Sequence, residues 1–208
     1  MDRLIVLVPS ESEAEVLKDF DLDLQIVGIG PVESALSSYQ ILSEKKPKIV
    51  FLTGWAGAYP ETDLKIGDVV VATQEVFADF GRKYKTHYAS FPENLKVCNS
   101  CSLTHAFTEK TIQLLEDCNL TPVAGNFSTV CAATYDINRA YFIKKKYDVI
   151  AENMEGFGVA KACEKLKIFL VEIRVISNLL YQPDIDWDKN RASEVLRWIW
   201  ECITKNWK

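Results

Sequence analysis

Ile168-Phe169-Leu170-Val171-Glu172-Ile173-Arg174-Val175-Ile176 is a near-continuous apolar run, and it ends on Ser177-Asn178. A run of this kind and length reads as a strand buried on both faces, the type found in sheets covered by helices. Arg174, Ser177 and Asn178 then fall at the carboxyl end of that strand, where ligands bind in open α/β sheets. For an isolated Ser-Asn pair, an N-cap and a turn is the plainer account. Just upstream, Asn153-Met154-Glu155-Gly156-Phe157-Gly158 leads into Val159-Ala160-Lys161-Ala162-Cys163, which reads as a helix from Met154 to Leu166 with small residues on its packed face. Both stretches place polar groups where a core pattern would not.

Working outward, β-rich runs recur at Leu4 to Val8, Leu24 to Gly28, Ile49 to Thr53 and Asp68 to Ala72. Between and after them, helical periodicity predicts helices over Ser12 to Phe20, Pro31 to Lys46, Thr104 to Cys118, Asp136 to Lys146 and Arg191 to Lys205. Pro31 suits a first helical turn, and Pro47 closes that segment. In the last helix Ala192, Val195, Leu196, Ile199 and Ile203 share one face, leaving Trp198, Trp200 and Trp207 as aromatic surface elsewhere, for packing or for a partner. The alternation predicts an α/β fold. No linker, repeat or low-complexity stretch divides residues 1–208, so one domain is expected.

The chain has 208 residues, 48% of them apolar, and a formal charge of −5. Its longest basic run is Lys144-Lys145-Lys146, which argues against nucleic acid or an anionic membrane as partner and for a small molecule. No apolar run approaches the roughly 18 residues that span a bilayer. The start of the chain lacks the basic region and cleavage-like site of a signal peptide. With Cys98, Cys101, Cys118, Cys131, Cys163 and Cys202 scattered and mostly in apolar or helical settings, reduced thiols and a cytoplasmic location are expected. Cys98-Asn99-Ser100-Cys101 has metal-ligand spacing, yet there is no second pair and the histidines are only His87 and His105. A surface pair of thiols is therefore expected there, with no metal and no cofactor.

Gly28-Ile29-Gly30 follows a strand and precedes a helix, but Glu33 occupies the place of the third glycine of a dinucleotide fingerprint and no ribose-binding acid follows. A tight turn is left, or backbone amides that approach a sugar or water. Thr53-Gly54-Trp55-Ala56-Gly57-Ala58 follows the apolar run Lys48 to Leu52, and its small residues let a planar ligand or its sugar lie against the backbone. Glu11, Glu13 and Glu15 follow the first strand. Most carboxylates in such a run are solvated helix-start residues favoured by the dipole, while one of them as a general base is the sharper reading.

Taken together, the acid cluster, Gly28-Ile29-Gly30, Thr53-Gly54-Trp55-Ala56-Gly57, Lys65-Ile66-Gly67-Asp68-Val69-Val70-Val71, Asn153-Met154-Glu155-Gly156 and Arg174-Val175-Ile176-Ser177-Asn178 resemble the nucleoside phosphorylase and nucleosidase superfamily along almost the whole chain. Within it the chain looks most like the futalosine hydrolases, menaquinone-pathway nucleosidases that release hypoxanthine, with methylthioadenosine/S-adenosylhomocysteine nucleosidases as close kin. The resemblance implies a three-layer α/β/α fold with a central mixed, twisted sheet flanked by helices. It also implies a purine nucleoside as substrate, and a homodimer.

It further implies that Glu155 accepts the ribose hydroxyls and stabilises oxocarbenium-like charge, that Met154 packs on the sugar, and that Glu13, or Glu11 in its stead, activates water beside Arg174. Ala56, Gly57 and Ser177 join the substrate-binding set. Adenine-specific relatives carry aspartate where this chain has Asn178, whose amide donates to a carbonyl O6 and accepts from a protonated N7, which suits a 6-oxopurine. Leu52 and Trp55 stand where phosphorylases place phosphate-binding arginine and serine, which favours hydrolysis. The base-stacking aromatic has no counterpart in Val130 to Thr134, with Tyr135 as a shifted substitute. For the 5′ substituent the candidates are Phe77, Phe80, Arg82, Tyr181 and Trp187. Competing readings are an adenine-type nucleosidase, a phosphorylase with an altered phosphate site, and a non-catalytic nucleoside-binding module.

Overall fold

The computed structural model describes residues 3–86, 88–89 and 91–207. In chain order the elements are β1 (Ile5–Val8), α1 (Glu11–Leu17), β2 (Asp23–Ile26), α2 (Pro31–Lys45), β3 (Ile49–Ala58) and β4 (Val69–Phe77). The short pair β5 (Arg82–Lys83) and β6 (Tyr88–Ala89) follows, then β7 (Ser100–Ser102), α3 (Ala106–Asp117) and β8 (Val123–Thr129). The chain closes with α4 (Ile137–Tyr147), β9 (Val149–Asn153), α5 (Gly156–Leu166), β10 (Phe169–Leu179) and α6 (Lys189–Asn206).

Eight strands form one mixed sheet in the order β10-β4-β8-β9-β3-β1-β2, with β7 beside β4. β10 also pairs with β3, so β10, β4, β8, β9 and β3 close into a ring, and β1 and β2 extend it as a parallel flap. Alternation along the strands sorts side chains into two cores. Val6, Val8, Phe51, Val171, Ile173 and Val175 meet Leu17 of α1, Leu114 and Leu115 of α3, and the apolar face of α6. Leu7, Val50, Leu52, Leu170 and Ile176 turn the other way, onto Leu42 of α2 and Phe157, Val159, Ala160 and Cys163 of α5. These are the three layers expected. Glu172 and Arg174 share the parity of Leu170 and Ile176, so register alone aims both at the α5 side.

Several expectations change. β10 does not stop before Ser177-Asn178 but continues to Leu179, with a bulge between Ile176 and Asn178. Thr53 to Ala58 is not a loop after the strand: it is the second half of β3, paired in parallel with Ile173 to Leu179. Glycine and alanine in a strand read as turn chemistry, but here they make room for buried polar side chains. The strands β8 and β9 were not expected, because Val123-Ala124-Gly125-Asn126 and Glu152-Asn153 carry no apolar alternation.

Cys118 and Cys202, expected to be reduced, form a disulfide, since packing of α3 against α6 brings their Cα atoms within 6.3 Å across a sequence separation of 84. Cys101 is not a surface thiol but buried on β7, while Cys98 is exposed. His105 caps α3, and His87 lies outside the described residues. Among the described residues no His, Cys, Asp and Glu group is arranged to hold a metal, and no helix is long and apolar enough to cross a membrane. Trp200, expected at the surface, is buried edge-on to Phe51 at 5.5 Å, and Trp207 packs on the same ring at 5.0 Å.

Candidate active site

Four chain segments, the β1–α1 junction, β3, the β9–α5 junction and β10, converge on a cavity of about 290 Å³. Its lining includes Glu13, Ala56, Gly57, Met154, Glu155, Arg174, Ser177 and Asn178, all expected from the sequence to act on substrate. Glu11 does not line it and is exposed at the first position of α1. Two positions further on, Glu13 turns inward and is buried. Ser10 Oγ donates to Glu13 Oε2 at 2.7 Å and the Trp55 amide donates to Oε1 at 3.1 Å. Gly54 makes this approach possible, because a Cβ there would lie 2.2 Å from Glu13 Oε1 and 3.1 Å from Arg174 Nη1. Burial raises the Glu13 carboxyl above the ordinary carboxylate range, with Arg174 and the two donors opposing it.

Arg174 is 1% exposed and ties the site together. Its Nε donates to Glu172 Oε1 at 3.0 Å, Nη1 to the Trp55 carbonyl at 3.3 Å and Nη2 to Glu155 Oε2 at 3.4 Å. Burial works against its charge, but the carboxylates of Glu172, Glu155 and Glu13 outweigh it and hold the guanidinium protonated. Glu155 is the residue just before α5, and its carboxylate also accepts from the amides of Gly30 and Met154, each at 3.3 Å. Gly28-Ile29-Gly30 thus supplies an amide to the site and not to a dinucleotide. With oxygens held by Arg174 and two amides, Glu155 presents fixed negative charge to the cavity.

Beneath these groups lies a network that sequence reading missed. Glu75 of β4 and Glu172 of β10 are both wholly buried, and their carboxyls lie side by side, 2.1 and 2.7 Å from where a Cβ on Gly156 would stand. Thr129 Oγ1 donates to Glu75 Oε2 at 2.7 Å and Asn153 Nδ2 to Oε1 at 2.6 Å. Burial, then repulsion from Glu172, pushes Glu75 well above its ordinary value, so Glu75 keeps its proton, while Glu172 Oε2 has no hydrogen-bond partner among the described residues. The pair lies against the first turn of α5, where a Cβ on Gly156 would fall 2.1 Å from Glu75 Oε1. Asn153 Oδ1 accepts the amides of Glu155 and Gly156 at 2.9 and 2.7 Å, and Thr129 Oγ1 that of Phe157 at 2.7 Å, so the start of α5 is capped by the same residues. The only sequence signal was an acid within each of two largely apolar stretches, Val69–Phe77 and Phe169–Leu179.

At the other end, Ser177 Oγ donates to Asn178 Oδ1 at 3.0 Å and lies 3.3 Å from the Ala56 carbonyl. That bond fixes the amide so that Nδ2 is its free donor. Ala133, Thr134 and Glu152 complete this wall. Glu152 accepts from Tyr59 Oη at 2.7 Å, the Thr134 amide at 2.8 Å and Thr134 Oγ1 at 2.6 Å, and burial raises its carboxyl. Tyr135 does not stand in for a stacking aromatic: it is 67% exposed, outside the lining, and donates to Asp184 Oδ1 at 2.6 Å. Of the aromatic and cationic candidates for a 5′ substituent, Trp187 lines the cavity, joined by Trp55, Ile29 and Lys189. Phe77 and Phe80 stack on each other at 5.2 Å, and Tyr181 Oη donates to the Leu64 carbonyl at 3.4 Å. Those three and Arg82 lie outside the lining.

Comparison with known proteins agrees with this architecture. A 5′-methylthioadenosine/S-adenosylhomocysteine nucleosidase of Bacillus cereus (strain B4264) is 31% identical over 154 residues, covering 73% of this chain and 65% of the relative. The nucleosidase of the same name from Neisseria meningitidis, solved with methylthio-immucillin-A, superposes with a TM-score of 0.81 at 21% identity, covering 99% of this chain and 100% of that one. A mutant futalosine hydrolase of Helicobacter pylori strain 26695 superposes with a TM-score of 0.80 at 19% identity, covering 96% and 98%. The phosphorylase superfamily profile matches residues 24–200, and the chain belongs to that superfamily.

Proposed function

We propose that the protein is a hydrolytic N-glycosidase of purine nucleosides, with futalosine, a 6-oxopurine nucleoside, as its substrate. The observation that carries this reading is the convergence of Glu13, Glu155, Arg174 and Asn178 on one cavity. Water attacks C1′ as the bond to the base nitrogen breaks. The water's oxygen bonds to C1′, one of its protons passes to Glu13, and the bonding electron pair leaves with the base, whose N7 takes up a proton from solvent. Glu155 accepts the ribose hydroxyls, and its fixed carboxylate stabilises the cationic sugar in the transition state. Met154 packs on the sugar. Arg174 positions Glu155 and holds the negative charge of the two acids in place. Glu13, raised by burial, is a stronger base than a solvated carboxylate, and general-base help of this kind contributes about 10² to 10⁴ in rate.

Asn178 cannot give up a proton, so it serves the departing base through hydrogen bonds: Nδ2 to O6, and the remaining lone pair of Oδ1 to a protonated N7. Mispairing with a 6-amino group sets donor against donor, at about 1–3 kcal/mol per unpaired group. Leu52 is fully buried and Trp55 puts an indole on the cavity wall, which supports water over phosphate as the acceptor. The second reading, an adenine-type nucleosidase, draws on the name of the Bacillus cereus relative. A second copy of this chain is the proposed partner, through Val32, Leu36 and Tyr39, exposed along α2.

The test is base release from futalosine, inosine and methylthioadenosine, each with and without phosphate. Phosphate-independent hypoxanthine release, led by futalosine, is expected. Preferred release of adenine would overturn the 6-oxopurine assignment, and a phosphate requirement would overturn hydrolysis.

A further inference from the structure

Glu172 is wholly buried and does not line the cavity, and the reaction as described gives it no task. It stands in a strand row otherwise filled by Leu170, Arg174 and Ile176, where an acid costs stability unless it is paired. Among the described residues its one ion pair is with Arg174, Nε to Oε1 at 3.0 Å. Glu75 faces it from β4 and Glu155 from the start of α5, while the neutral Thr129 and Asn153, from β8 and β9, bond to Glu75. Gly156 has no side chain, which lets both buried carboxyls close on the first turn of α5.

Arg174 does not need Glu172 in order to be charged. Glu155 pairs with it at 3.4 Å, and Glu13 is its neighbour, because a Cβ on Gly54 would meet Glu13 Oε1 and Arg174 Nη1 at once. What Glu172 decides is where the charge of the guanidinium goes. Of the three carboxylates it acts on Arg174 most strongly, ahead of Glu155 and Glu13, and it is the one that meets no substrate. With Nε turned to Glu172 and Nη1 to the Trp55 carbonyl, Arg174 offers Glu155 a single long contact, so the two acids of the site are held without being neutralised. We propose that Glu172 is a positioning residue: it fixes Arg174 through Nε and draws its charge away from Glu13, which stays free to take a proton from water. The inference rests on the nucleosidase reading and adds to it a control on Glu13.

The experiment compares wild-type protein with E75Q and with the double variant E75Q/E172Q. In the double variant the amide oxygen at position 172 still accepts from Nε, so Arg174 keeps its place while the charge is gone, and no second buried acid can take it over. The acid limb of kcat/KM for a purine nucleoside should fall by about one pH unit in the double variant, as the guanidinium turns its charge on Glu13. In E75Q, which imitates the protonated acid, the limb should stay at the wild-type value. A limb unmoved in the double variant, or moved as far by E75Q alone, would overturn the proposal, since a purely structural role for Glu172 changes the melting temperature and not the limb. E172Q alone alters one side chain and serves where the double variant does not fold, with the same fall expected. Carboxyl NMR titration of glutamate-labelled protein, with the Glu13 resonance identified by its loss in E13Q, follows the same midpoint without turnover. A fall seen there in a protein that releases no base would count against the nucleosidase reading while leaving the control by Glu172 standing.

Discussion

At the floor of the cavity Arg174 is 1% exposed and bonded through all three of its nitrogens, whereas at the mouth Trp187 is 52% exposed and Lys189 rests on two rings with no ion pair among the described residues. The floor is fixed by strand register: Gly54 faces Arg174 across β3 and β10, and Arg174 faces Val70 across β4. The mouth hangs on the segment between β10 and α6, anchored where the Asp188 amide donates to the Ser177 carbonyl at 2.9 Å. Chemistry common to a class of nucleosides belongs on the rigid part, and discrimination among their substituents belongs on the part that sequence can vary without disturbing the sheet.

Mutations should separate the two regions. Glu13→Gln keeps the shape and the contact to the Trp55 amide but removes the base, and kcat should fall by about 10² to 10⁴ with the melting temperature nearly unchanged. The wild-type acid limb of kcat/KM should lie above the ordinary carboxylate range, because Glu13 must lose its proton to act and burial raises its value. In Glu13→Gln that limb should vanish. Arg174→Met should cost about 3–5 kcal/mol of stability by chemical denaturation, since Glu172 and Glu155 would stay buried without their cation. A loss of activity with full stability would mean that the floor does not depend on Arg174 as described. Trp187→Ala, at the mouth, should raise KM for a nucleoside with a bulky 5′ group about tenfold and leave its kcat within a few-fold. An effect on kcat alone would erase the division between floor and mouth.

The smallest effect is the most diagnostic of the buried pair. Glu75 has a raised value in the folded state, so its contribution to stability is full below the ordinary carboxylate range and is lost as pH rises through the raised value. Glu75→Gln imitates the protonated acid. It should change stability by no more than about 1 kcal/mol at low pH and should flatten the decline toward neutral pH. A decline of unchanged slope would mean that the proton does not reside on Glu75.

The same contrast explains what could be read from the chain. Hydrophobic period located the strand through Arg174 and the helix after Glu155, and polar residues at their junctions marked the site, because each breaks an apolar pattern. β8 and β9 escaped because both end in polar residues, Thr129 and Asn153 among them, that bond to each other in place of forming an apolar face. The Glu75–Glu172 pair escaped because its meaning depends on two strands 97 positions apart in sequence lying side by side. Lys189 drew no notice, because it precedes the helix predicted from Arg191, and only the approach of Trp55 and Trp187 gives it a place in the cavity.

The most direct test is phosphate-free base release from a 6-oxopurine nucleoside by wild-type protein and by Glu155→Gln, with thermal melting run on both. Turnover by the wild type is expected, with a fall in kcat of about 10² or more in the variant at a similar melting temperature. Equal turnover by the two proteins would contradict it.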